Sequence, residues 1–286
     1  MPAAKRSGGP GFRRKAAGWG AALALLWGLG AALPGWAGPA SLSITGSTSL
    51  LPLLQRAAEQ YQHLHPEVRI SVAGRGSGDG ARSIIDCTAD LAACSREIKP
   101  TEEKLAQQKG VTPVKHLVAR GAVVPVVDPA NPVNGLTLEQ LRDIFAGRTR
   151  NWQDVGGRDQ PITVISRDSN SGTFEIFRGI VLGKERMRPD ALLMASNGTM
   201  SQAVSGNPLA LGYLSIAYLN PKVKALTVNG VAASLATVQN HTYPLSRSLY
   251  ILTAGPARGV LKDFIDFLQG PLGRRIALEE GYVPLE

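Results

Sequence analysis

The chain has 286 residues, with 31 Lys and Arg against 22 Asp and Glu, a formal net charge of +9, four His and two Cys. Five of the positive charges, Lys5, Arg6, Arg13, Arg14 and Lys15, stand in an N-terminal stretch that contains no acid, so the remainder carries about +4. That balance, with no basic run interleaved with aromatics, argues against nucleic acid as a partner, and the His and Cys spacings match no metal-ligand pattern, so no metal site and no cofactor is expected.

In chain order, the basic stretch is followed by an uncharged run over 16–33 and then by Pro34-Gly35-Trp36-Ala37-Gly38. This is the order of a secretory signal peptide over 1–37, cleaved near Ala37, with a membrane anchor as the alternative. Neither Cys87 nor Cys94 follows the apolar run, which favours a freely diffusing periplasmic protein over a lipid-anchored one. Whether the two cysteines form a disulfide stays open at this stage.

Beyond the leader, strands alternate with helices. A strand over 41–45 leads to a helix over 50–64, a strand over 69–73 to a helix over 80–87, and a strand over 90–93 to a helix over 101–109. A pair of apolar strands, 114–118 and 122–127, ends at Asp128-Pro129. The pattern restarts with a helix over Leu138–Ala146, a strand over 162–166 and a helix over 173–182. Strands over 211–216, 223–228 and 249–252 and helices over 259–268 and 271–280 complete it. This alternation predicts an α/β architecture, and the length predicts two α/β lobes.

Three segments share one chemistry. Leu42-Ser43-Ile44-Thr45-Gly46-Ser47-Thr48-Ser49, Ile70-Ser71-Val72-Ala73-Gly74-Arg75-Gly76-Ser77-Gly78-Asp79-Gly80 and Ile162-Thr163-Val164-Ile165-Ser166-Arg167-Asp168-Ser169-Asn170-Ser171-Gly172-Thr173 each run from an apolar strand, through a Gly/Ser/Thr loop, into a helix. The first turn of a helix presents unpaired N–H groups at the positive end of its dipole, glycine lets backbone approach an oxyanion, and a hydroxyl adds a neutral donor. Singly, each loop reads equally well as a capped helix start. Three of them, one carrying an arginine, point to anion capture between lobes.

These loops, with Ala89-Asp90-Leu91-Ala92, Asn151-Trp152, Asn207-Pro208-Leu209-Ala210-Leu211-Gly212-Tyr213, Tyr243-Pro244-Leu245-Ser246-Arg247 and Glu280-Gly281-Tyr282-Val283-Pro284-Leu285 in this order, resemble the substrate-binding proteins of phosphate ABC transporters, of the shorter type. The resemblance implies a type II periplasmic-binding-protein fold: two α/β lobes joined by a two-stranded hinge, with the ligand in the cleft. It implies a first lobe over 41–120 and 246–286, a second over 121–245, and hinge crossings near 119–121 and 244–246. Carried over by position, it assigns phosphate binding to Thr48, Ser49, Ser77, Ser95, Arg167, Ser171, Gly172 and Thr173. Asp79, Arg96, Asp168 and Ser169 stand as outlying or proton-accepting candidates. Longer members of the family place aspartates where this chain has Ser95 and Ser169, and such a carboxylate accepts the proton that bound phosphate carries. The implied partners are inorganic phosphate and the permease of an ABC importer, and the implied state is a monomer.

Two rivals remain. Without that carboxylate, another tetrahedral oxyanion (sulfate, tungstate, molybdate or vanadate) competes with phosphate. A phosphoester hydrolase finds little support, because no G-x-S-x-G elbow occurs and Gly179-Ile180-Val181-Leu182-Gly183-Lys184-Glu185 departs from a P-loop in its spacing and in the Glu after Lys. The protein is therefore expected not to be an enzyme.

Overall fold

The computed structural model describes residues 40–285; the expected leader over 1–37 lies outside the described residues. Eight strands form a continuous path. In order across the sheet they are β2 (Val68–Gly74), β1 (Ala40–Gly46), β3 (Leu91–Cys94), β11 (Ser246–Thr253), β4 (Val114–Val127), β8 (Ala210–Ser215), β6 (Thr163–Arg167) and β7 (Leu192–Met194). Strands β1, β2 and β3 are parallel, as are β6, β7 and β8, while β4 and β11 run antiparallel to their neighbours and knit the two parallel groups together. A ninth strand, β9 (Lys224–Ala225), pairs with β4, and a separate pair joins β5 (Gly135–Leu136) to β10 (Thr227–Val228).

Two main apolar cores follow from this layout. One gathers Leu42, Ile44, Leu53, Leu54, Ala119, Leu249, Phe264 and Tyr282 under α1 (Leu51–Leu64), α8 (Val260–Gln269) and α9 (Pro271–Glu279). The other gathers residues between Ala122 and Leu245, together with Val283. Its centre is an aromatic stack in which Phe177 lies parallel to Tyr213 at 4.0 Å and tilted against Phe145 at 4.6 Å. Trp152 is buried in the same core and donates its indole N–H to the Leu209 carbonyl at 3.0 Å. Helix α4 (Leu138–Ala146) enters this core on the face carrying Leu141, Ile144 and Phe145; a Thr137–Gln140 capping box starts it and Gly147 in the left-handed region ends it.

The structure departs from the sequence expectations at five places. Residues 114–118 and 122–127 are one strand, because 119–121 stay paired with 247–249 and Arg120 exchanges two backbone hydrogen bonds with Val283. The segment 223–228 is split at Leu226, whose N–H is taken by the Pro125 carbonyl, so that its halves pair in different sheets. The helix expected over 173–182 is α5 (Gly172–Phe177), which loosens into a π-turn over Arg178–Leu182. The helix expected over 80–87 starts three residues earlier, as α2 (Ser77–Ile85), while that expected over 101–109 is α3 (Pro100–Gln108). Helices α6 (Asn197–Val204) and α7 (Leu235–Gln239) and strands β5 and β7 have no counterpart among the expected elements.

Both cysteines are free. Cys94 closes β3 against the Ser77 carbonyl at the start of α2, whereas Cys87 follows the end of that helix, so the length of α2 lies between the two thiols. Burial pushes the Cys94 thiol up to about 12, which keeps it protonated and inert.

Gly46 ends β1 with φ +130° and lies against β3, where a Cβ would sit 2.2 Å from the Ala93 carbonyl oxygen. Gly46→Ala is therefore expected to cost at least about 2 kcal/mol, read as a lower urea midpoint with an unchanged slope.

Candidate functional site

The three anion loops meet, and the backbone fixes how. The amides of Arg75 and Gly76 both donate to the Gly46 carbonyl at 2.8 Å, which ties the second loop to the first, and Ser47 N–H donates to Ala93 O at 2.8 Å, which ties the first to the end of β3. The Ser47 hydroxyl then caps the Ser49 amide. Two phenols clamp the loop from outside: Tyr218 donates to Thr48 O at 2.8 Å and Tyr282 to Ser49 O at 2.6 Å. Because the carbonyls are held outward, the hydroxyls of Thr48 and Ser49 face the interior, where both residues are buried.

Ser77, the first residue of α2, and Ser95, just past β3, are fully buried. Ser95 N–H donates to Ser77 Oγ at 3.1 Å, and Ser95 Oγ receives the Ser47 hydroxyl at 2.9 Å. The third loop closes over them. Ser171 caps α5 through the Phe174 amide, and Gly172 packs so closely that a Cβ would stand 2.3 Å from Ser77 Oγ and 2.6 Å from Ser95 Oγ. Thr173 Oγ1 lies 2.8 Å from Ser49 Oγ. Asn170 stitches the rim, donating to Arg75 O at 2.8 Å and accepting from Gly78 N–H at 3.0 Å, and Lys99 pairs with Glu175 at 2.9 Å beside it.

Arg167 points into this cluster at 1% exposure. It donates to the carbonyls of Met194 and Ala195 at 2.9 Å and reaches Thr48 Oγ1 at 3.5 Å, while its Nη1 has no partner among the described residues. Burial pushes its pKa down. A second guanidinium lies beside it: Arg247, from β11, donates to Ser49 Oγ at 2.9 Å and to Thr173 Oγ1 at 3.1 Å. Burial first, and the Arg167 charge next, push Arg247 down to about 9, so at neutral pH both groups are cations. Neither pairs with a carboxylate among the described residues. Two buried positive charges among hydroxyl and amide donors form a site for a compact anion carrying more than one negative charge.

Of the residues expected from sequence, Thr48, Ser49, Ser77, Ser95, Arg167, Gly172 and Thr173 converge, with Ser171 buried alongside as a cap. The outlying candidates do not join them. Asp79 and Ser169 are exposed, and Asp168 is half-buried with one carboxylate oxygen engaged by the Asn170 amide. Arg96 is buried but held by a two-pronged bond to Glu102 at 2.6 and 2.8 Å, which spends its charge within the protein. Missed by sequence were Ser47, Arg247 and Asn197, whose amide donates to Thr48 Oγ1 at 3.0 Å and to Ser49 Oγ at 3.3 Å. Asn197 opens α6, and its one sequence signal was the Ser196–Thr199 capping box.

Known proteins resemble this chain over most of its length. The family model of the PBP superfamily domain matches residues 35–271. The phosphate-binding protein PstS of Bacillus subtilis is 31% identical over 248 residues, covering 86% of this chain and 81% of that protein. PstS of Pseudomonas aeruginosa is 30% identical over 268 residues, covering 86% and 83%. Among solved structures, a substrate-binding protein named for a phosphate ABC transporter of Clostridium perfringens, with bound phosphate, has 31% identity and a TM-score of 0.80, covering 86% of this chain and all of that one. An ABC-type phosphate transport receptor from Vibrio cholerae has 35% identity and a TM-score of 0.70 over 85% of this chain.

Gly172→Ala is expected to force α5 off the Ser77–Ser95 pair, lowering the unfolding free energy by about 1–3 kcal/mol in urea denaturation.

Proposed function

The chain belongs to the PBP superfamily, with the type II periplasmic-binding fold, and from that premise we propose that it captures inorganic phosphate and delivers it to the membrane permease of an ABC importer after export to the periplasm. One observation carries the reading: two buried guanidinium groups, free of carboxylates, among the hydroxyls of Thr48, Ser49, Ser77, Ser95 and Thr173. The relatives that cover most of this chain are named as phosphate-binding proteins, which supports phosphate over the other tetrahedral oxyanions.

In this reading Arg167, Ser171, Gly172 and Thr173 meet the anion from one side and Thr48, Ser49, Ser77 and Ser95 from the other. The two apolar cores support lobes over 41–120 with 246–286, and over 121–245, since the packing changes hands at 120–121 and again at 246–248, with Val283 crossing back to the second core. Neither lobe alone supplies enough donors to replace the water around a multiply charged anion, so the lobes open to admit it and close to hold it. The closed form, bridged by Ser49–Thr173 and Lys99–Glu175, is the one that docks on the permease. Small-angle scattering is expected to give a smaller radius of gyration with phosphate than after its removal; identical profiles count against closure.

Ser95 is the acceptor on which selectivity for phosphate rests. Its Oγ receives the Ser47 hydroxyl and lies 3.3 Å from Ser77 Oγ; with its own proton given to Ser77 it keeps a lone pair for a phosphate O–H, which sulfate lacks. Calorimetric titration of the protein purified after export, stripped of carried-over anion by partial unfolding and dialysis, is expected to give one-to-one phosphate binding with sulfate silent. Ser95→Ala is expected to weaken phosphate by about 1–3 kcal/mol and to narrow its lead over sulfate. An unchanged affinity and preference would remove Ser95 from the site.

A further inference from the structure

Near neutral pH inorganic phosphate is a mixture of a monoanion with two O–H groups and a dianion with one. Which of them fits depends on how many acceptors the site keeps free, and hydroxyl groups accept two hydrogen bonds while donating one. Ser49 Oγ accepts from Arg247 Nη2 at 2.9 Å and from Asn197 Nδ2 at 3.3 Å. Thr48 Oγ1 accepts from Asn197 Nδ2 at 3.0 Å and from Arg167 Nη2 at 3.5 Å. Both lone pairs of each hydroxyl are occupied, so Thr48 has only its proton to offer a ligand, and Ser49, whose proton goes to Thr173 Oγ1 at 2.8 Å, has no acceptor to offer either. Thr173 Oγ1 accepts from Arg247 Nη1 at 3.1 Å and from the Ser49 hydroxyl, so it too has only its proton to offer.

Arg247 therefore acts twice. It adds a second positive charge to that of Arg167, and it fills acceptor positions on Ser49 and Thr173. Resting on the phosphate reading above, we propose that Arg247 is a positioning residue that fixes the ionisation state of the ligand: the site takes the phosphate dianion and rejects the monoanion, whose second O–H finds no acceptor among Thr48, Ser49 and Thr173.

The surroundings allow a clean test. The charged and titratable groups facing the two arginines are Asp168, Tyr213 and Tyr218 around Arg167, and Tyr282 with Arg167 itself around Arg247. Burial pushes Tyr213 and Tyr218 up to about 12 and Tyr282 well above the usual phenol range, and no histidine is among these groups, so across neutral pH the titrating partner is the ligand. Phosphate is titrated into the exported protein from about pH 5.5 to about pH 8, in buffers of different ionisation enthalpy. Affinity is expected to fall about tenfold per pH unit below the second ionisation of phosphate, with one proton released per phosphate bound there. Arg247→Gln is expected to lose at least about tenfold at the alkaline end and to flatten that slope, whereas Arg247→Lys, keeping the charge, retains it. Sulfate, a dianion throughout, serves as the control, and any affinity it has stays level with pH. A pH-independent phosphate affinity in the unaltered protein overturns the proposal, as does a wild-type slope in Arg247→Gln; the first needs no variant to fold. Phosphate silent at every pH refutes the phosphate reading itself.

Discussion

Two guanidinium charges, buried side by side without a carboxylate, are the constraint around which the rest of this molecule is arranged. Each has given up hydration and each repels the other, so everything near them works to offset that cost. The carbonyls of Met194 and Ala195 hold Arg167, and the oxygens of Ser49 and Thr173 hold Arg247. An incoming anion of matching charge completes the compensation, and this is what a binding protein with little chemistry to perform can gain from such an expensive centre. Free energy withheld from the unliganded fold becomes free energy of capture.

The carboxylates of the protein are kept out of the centre by being engaged elsewhere. Glu102 is committed to Arg96, Glu175 to Lys99 on the rim, and Asp168 to the turn that precedes Ser171. Phenols take the place that acids fill in many arginine-rich sites. Tyr218 and Tyr282 hold the backbone of the first loop without contributing negative charge, since burial raises both far above neutral pH. The result is a positive interior enclosed by neutral donors, with ion pairs confined to the periphery.

Much of this was legible in the amino-acid order, for physical reasons that also explain what was not. Thr48, Ser49, Ser77 and the run from Arg167 to Thr173 lie where a strand gives way to a helix, and the glycines and hydroxyls needed there leave a local signature. Arg247 leaves none. It stands within a strand between Ser246 and Ser248, in the alternation that ordinarily marks a solvent-facing cation, and only the packing of β11 between β3 and β4 buries it. Asn197 begins an eight-residue helix of mostly small and polar residues, too short and too weakly apolar for periodicity to register. The pair of strands expected around 119–121 failed for the converse reason: Arg120 and Gly121 look like a break, and it is the distant Val283 that keeps the strand whole.

The clamp from Tyr282 to the Ser49 carbonyl joins residues 233 positions apart, and Arg247 reaches Ser49 across 198. The first of the anion loops is thus finished by residues about two hundred positions further along. Contacts of such long range close late in folding, after the loop-closure entropy of the whole sequence has been spent. A chain still being made, or one cut short before Tyr282, holds the glycines and hydroxyls of an anion site without the parts that orient them, so the capacity to hold an anion arrives in one step with completion of the fold.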